Sequence, residues 1–116
     1  MQSVQEIIPF EVPEGKDEEF LRAWNRVAEQ MRQAPGILSI HLHESLDPET
    51  KFRFIVVSRW ESPQFLQAAR SQLSQTFVEM RQQVPFAAYP AEYRLLVAAV
   101  AAPPRSGSLP SDWAFV

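Results

Sequence analysis

The chain has 116 residues, 46% hydrophobic and 22% charged, a balance that supports one domain with a real core rather than a chain that stays disordered. Its 11 basic residues against 14 acidic ones give a net charge of −3, and the basic ones fall singly along the chain, so nucleic acid is not an expected partner. Cysteine is absent, which removes disulfides, thiolate metal sites and thiol nucleophiles together; no leader pattern and no apolar run of about 18 residues is present, so no membrane association is expected and a cytoplasmic location is the default.

Residues 4 to 12, "VQEIIPFEV", read as a first strand with Val4, Ile8, Phe10 and Val12 on one face and Glu6 intruding on it. A carboxylate on the face that meets the helices sits near any pocket there, which makes Glu6 a candidate acid–base with a raised pKa. The period then changes: Phe20, Trp24, Val27, Ala28 and Met31 recur at three and four, behind an acidic start at Asp17, Glu18 and Glu19 that suits a helix dipole. Trp24 belongs to this core stripe, with a pocket wall as its functional alternative. Pro35 and Gly36 stop the helix.

From Ile37 to Ser45 the chain alternates, with Leu38, Ile40 and Leu42 opposite Ile37, Ser39, His41 and His43, and reads as a second strand. His41 and His43 are two apart and share a face. Either suits deprotonation of a phenol near neutral pH, while no third ligand at diagnostic spacing supports a metal site. "LDPETK" is a turn by chemistry, because Pro48 fixes its φ and Asp47 can accept from nearby backbone amides. The third strand, "KFRFIVVSRW", sends Phe52, Phe54, Val56, Ser58 and Trp60 one way and Arg53, Ile55, Val57 and Arg59 the other. Neither face is plainly polar.

Ser62 and Pro63 read as N-cap and first helical residue of a second helix carrying Phe65, Leu66, Ala69, Leu73, Phe77, Val78 and Met80. Pro85 to Pro90 is a break, and "EYRLLVAAV" from Glu92 to Val100 is a last strand, with Tyr93 near its entrance able to orient a substrate oxygen. The domain spans residues 1 to 100. Residues 101 to 116 form a Pro- and Ser-rich tail whose apolar end is a candidate lid.

The order strand, helix, strand, strand, helix, strand is the α+β, ferredoxin-like split βαβ plan (βαββαβ), with a four-stranded antiparallel sheet. Its helices cover one sheet face. The other is also apolar, so a second copy of the chain packed sheet against sheet, a homodimer, is the expected cover.

"FEVPEGKDEEFLRAW", "APGILSIHLHESLDPETKFRFIVVSRWESP" and "YPAEYRLL" resemble the antibiotic biosynthesis monooxygenase family of small dimeric α/β-barrel proteins, over about residues 4 to 98. The resemblance implies oxidation of an electron-rich aromatic, of hydroquinone or anthrone type, by dioxygen with no flavin or metal cofactor; a non-catalytic ligand-binding or structural dimer is the alternative. The strand-end tryptophan of the polyketide-oxidising members matches Trp60, while their asparagine four residues earlier falls at Val56. The asparagine and histidine of the haem-degrading members would fall near Ile8 and Glu79, which disfavours haem. The expected machinery is His41, His43 or Glu6 as base, with Trp60, Trp24, Phe54 and Tyr93 as substrate-binding walls.

No nucleotide-binding glycine motif, nucleophile elbow or HExxH pair occurs.

Overall fold

The computed structural model describes residues 3 to 96. Strand β1 is Val4–Glu11, helix α1 Asp17–Arg32, β2 Ile37–Glu44, β3 Phe54–Trp60, helix α2 Pro63–Gln83, β4 Ala87–Ala88 and β5 Ala91–Tyr93. The sheet runs β2-β3-β1, with β4 and β5 both paired to the far edge of β1, and each pairing is antiparallel. This is the ferredoxin-like plan expected from the element order.

The pleat of β1 decides the layering. Val4, Glu6, Ile8 and Phe10 are buried, and their neighbours in between are only half-buried. On β3, Phe54, Val56, Ser58 and Trp60 fill the same inner layer. Helix α1 contributes Phe20, Ala23, Trp24, Val27 and Met31, and α2 contributes Leu66, Ala69, Leu73 and Met80, each at helical spacing. An aromatic cluster ties the layers together. Phe20 stacks on Phe54 at 4.9 Å between ring centroids, and Phe10 meets Phe20 edge-on at 5.1 Å and Phe86 at 5.5 Å.

The hairpin turn closes as its chemistry dictates: the Glu49 amide donates to Asp47 Oδ1 at 3.0 Å. Ser62 does occupy the N-cap position of α2 ahead of Pro63, but its hydroxyl makes no capping bond. Gly36 has φ +83°, and a Cβ there would lie 2.2 Å from Cγ of Phe65. The position therefore needs glycine both for handedness and for the ring that leans on it.

Two expectations are corrected. In β2 the register shifts between Ile37 and Ser39, so Leu38 is the extra residue of a bulge. Ile37 consequently joins Ile40 and Leu42 against the core, and Leu38, expected on that side, is 47% exposed. The last strand starts earlier than its sequence suggests and comes in two pieces: Ala87 and Ala88 pair with Glu11 and Phe10, and Ala91 to Tyr93 pair with Ile7 to Gln5. Pro90, which has no amide to give, falls between them. The four expected strands are thus five, and residues 97 to 100 of the expected last strand, together with the tail, lie outside the described residues.

Candidate active site

Glu6 is set by the period of β1 to face the helices, and it is 3% exposed. A buried carboxylate needs a partner, and α2 supplies Arg70. Arg70 donates to Glu6 Oε2 from both Nε, at 2.8 Å, and Nη2, at 2.5 Å, and its Nη1 reaches Glu92 Oε2 at 3.0 Å. Glu92 is the register partner of Glu6 across β1 and β5. Like charges facing each other across a ladder repel, and the guanidinium bridges them.

Both Arg70 bonds end on one oxygen. Among the described residues no hydrogen bond uses Glu6 Oε1, and none of their buried side-chain polar atoms lacks a partner. Glu6 lines a cavity of about 340 Å³ between α2 and the inner face of the sheet, whose apolar walls include Ile8, Leu66, Leu73 and Phe77 and whose lining also holds Arg70 and Arg81. Burial pushes the Glu6 carboxyl above the usual carboxylate range. The Arg70 bond and charge pull it back, and Glu92 adds to the rise; burial prevails. Arg70 is held protonated more firmly than usual, because its two carboxylate partners outweigh its own desolvation.

The other expected site residues are not brought to this cavity. His41 and His43 share a face as expected, with ring centroids 6.3 Å apart. They are exposed and pair with Val57 and Ile55 of β3, on the side of the sheet away from the helices and hence away from Glu6. Among the described residues no group of three or more His, Asp or Glu could hold a metal ion. Trp60 is fully buried and its Nε1–H donates to Ser58 Oγ at 2.9 Å, so its face is core packing and its donor is used. Phe54 is stacked on Phe20, and Trp24 lies 5% exposed with its ring 6.0 Å from Phe10. Tyr93 is half-exposed and lines a broader surface depression with Ser62, Pro63 and Glu92. Four expected walls thus belong to the core or to another depression, because the inner layer between α1 and the sheet is filled with aromatic rings and the open space lies along α2.

Arg70 escaped the sequence reading, though a signal was present. It stands four residues after Leu66 and three before Leu73, a lone charge inside an apolar stripe.

An antiparallel sheet backed by two helices, with an apolar cavity at the sheet and helix junction lined by one clamped carboxylate, defines a small ferredoxin-like α+β protein. The chain belongs to the antibiotic biosynthesis monooxygenase family, whose model matches residues 4–80. It is similar to a candidate monooxygenase from Shewanella loihica PV-4, with 31% identity, a TM-score of 0.73, and 84% of this chain and 97% of that one covered. It is also similar in fold to SnoaB, a cofactor-independent oxygenase from Streptomyces nogalater, at 14% identity and a TM-score of 0.72, covering 85% of this chain and 98% of that one. A candidate antibiotic biosynthesis monooxygenase from Bordetella bronchiseptica aligns at 24% identity and a TM-score of 0.62, covering 84% of this chain and 99% of that one. No curated protein matches the chain by sequence. No helix among the described residues is long and apolar enough to cross a membrane.

Proposed function

We propose that the chain is a monooxygenase that oxidises an electron-rich aromatic of hydroquinone or anthrone type with dioxygen, without flavin or metal, in the cavity along α2. The observation that carries the reading is Glu6: a buried carboxylate with a raised pKa, one oxygen clamped by Arg70, in the lining of an apolar cavity. A general base works best with a pKa near the working pH and within reach of the proton it takes. Glu6 accepts the proton of the phenol or of the anthrone CH₂. The resulting phenolate or enolate is electron-rich enough to pass one electron to dioxygen, and the radical pair closes to a peroxide anion that takes the proton back from Glu6 to become a hydroperoxide. In the anthrone case loss of water then leaves the carbonyl, so one oxygen atom enters the product and the other leaves as water. Arg70 holds the carboxylate in place, and the apolar walls exclude water from the intermediate.

The second reading is a ligand-binding dimer without catalysis. It is favoured by Val56, a fully buried apolar residue where the polyketide-oxidising relatives carry an asparagine. In either case the assembly proposed is a homodimer through the outer sheet face, where Ile7, Ile55 and Val57 are only half-buried in the single chain.

The deciding experiment is dioxygen uptake by chelator-treated protein with hydroquinones and anthrones, comparing wild type, Glu6→Gln and the double variant His41→Ala/His43→Ala. The reading expects uptake above the spontaneous rate that falls at least roughly a hundredfold in Glu6→Gln and survives the histidine changes. Uptake that Glu6→Gln leaves intact removes Glu6 from the mechanism, and no uptake with any substrate favours the binding reading.

A further inference from the structure

The face that α2 turns to the cavity runs through Leu66, Leu73 and Phe77 and ends at Arg81 in the last turn of the helix. Glu6 and Glu92 share Arg70, and Arg81 is a cation of the lining that stands outside that trio. Among the described residues Arg81 makes no salt bridge. Arg81 lines both this cavity and the adjoining depression that holds Phe86, and its guanidinium carbon lies 4.9 Å over the Phe86 ring, which steadies the head group without neutralising it. The acid nearest in the adjoining depression, Glu11, is already engaged by the Tyr89 hydroxyl and by Lys51 at 3.7 Å. The helix carboxyl end favours a cation at this position but offers no hydrogen-bonding anion.

We propose that the cavity takes a ligand that joins a flat apolar body to an anionic group, such as an aryl carboxylate, and that Arg81 receives the anion while Leu73 and Phe77 hold the body. The proposal rests on the reading of this cavity as the substrate site and narrows its substrate class to acids. A volume of about 340 Å³ sits at the small end of the range for organic ligands, which suits a bicyclic or tricyclic body. A guanidinium is also the side chain best shaped to hold a carboxylate through paired bonds.

The test uses two probes of nearly equal size and shape, the anionic 2-naphthoate and the neutral 2-naphthamide, titrated calorimetrically into the full chain at low salt. Wild type is expected to bind the acid roughly five- to tenfold more tightly than the amide. Arg81→Gln is expected to bring the two affinities together, Arg81→Lys to restore part of the difference, and Arg26→Gln, an exposed cation of α1, to keep all of it. Equal affinities in wild type, a preference that persists in Arg81→Gln, or no binding of either probe overturns the proposal. Dioxygen plays no part in the titration, so a chain that prefers the acid but consumes no dioxygen loses the oxygenase reading and keeps this one.

Discussion

Replacing Arg70 by methionine preserves the apolar stem of the side chain and removes the charge that bridges Glu6 and Glu92. The side chain of Glu6 is 4% exposed and that of Arg70 40%. Breaking a fully buried pair costs about 3–5 kcal/mol. Solvent reaches this guanidinium and screens part of the pair, so a loss of about 2 kcal/mol is expected at pH 8. The loss should depend on pH in a defined sense. Burial holds the folded-state pKa of Glu6 above its unfolded value. A group of that kind contributes stability that is full below the unfolded pKa and is lost as the pH rises through the folded one. Without Arg70 the folded value climbs further, so the variant is expected to suffer more at pH 8 than at pH 5, because protonation relieves the stranded carboxylate as the pH falls. Adding Glu6→Gln removes the stranded charge, and the double variant should regain most of the loss at pH 8. Urea unfolding followed by far-ultraviolet circular dichroism at both pH values measures all four chains. A loss in Arg70→Met that is the same at both pH values, or a double variant no more stable than Arg70→Met at pH 8, would refute the reasoning.

Trp60→Ala opens a void at a fully buried core position and should cost about 3–5 kcal/mol, read as a lower urea midpoint; unchanged stability with lost dioxygen uptake would instead make Trp60 a cavity wall. Gly36→Ala forces a side chain into a left-handed backbone, about 1–2 kcal/mol by itself, and pushes the Phe65 ring; combining it with Phe65→Ala should recover only the steric part of the fall in melting temperature. Val57→Glu, on the outer sheet face, should leave far-ultraviolet dichroism unchanged and halve the mass measured by light scattering; an unaltered mass would exclude that face as the dimer contact.

Much of this architecture was legible because burial and period agree. Alternation placed Glu6 with Ile8 and Phe10, and that pleat is what aims its carboxylate at the cavity. The histidines show the limit of the same rule. Alternation said that His41 and His43 share a face, but a base acts only on the face where the cavity lies, and that is settled by the helices packing over Ile40 and Leu42. Leu38 misled for a related reason: a one-residue bulge reverses the parity of everything before it, and no composition signal marks it. Ala87 and Ala88 have little intrinsic preference for a strand and lie between prolines, so only pairing with the edge of β1 makes them one. Trp60 fits a family pattern at its position, but a pattern carries no information about which neighbour already holds the indole N–H, and here Ser58 does.

The interruption at Pro90 also sets where the molecule is easiest to open. Ala88 and Pro90 line the cavity, and between the two short pairings the segment is tied to β1 by a bond from the Tyr89 amide to the Pro9 carbonyl at 3.1 Å. Local opening costs least where few backbone bonds and little apolar area hold a segment. Helix α2, anchored by Leu66, Ala69, Leu73 and Met80, is expected to open less readily than the broken strand. Passage of a ligand in and out is therefore expected to keep pace with hydrogen exchange at Ala88 and Ala91, well ahead of exchange in the amides of α2.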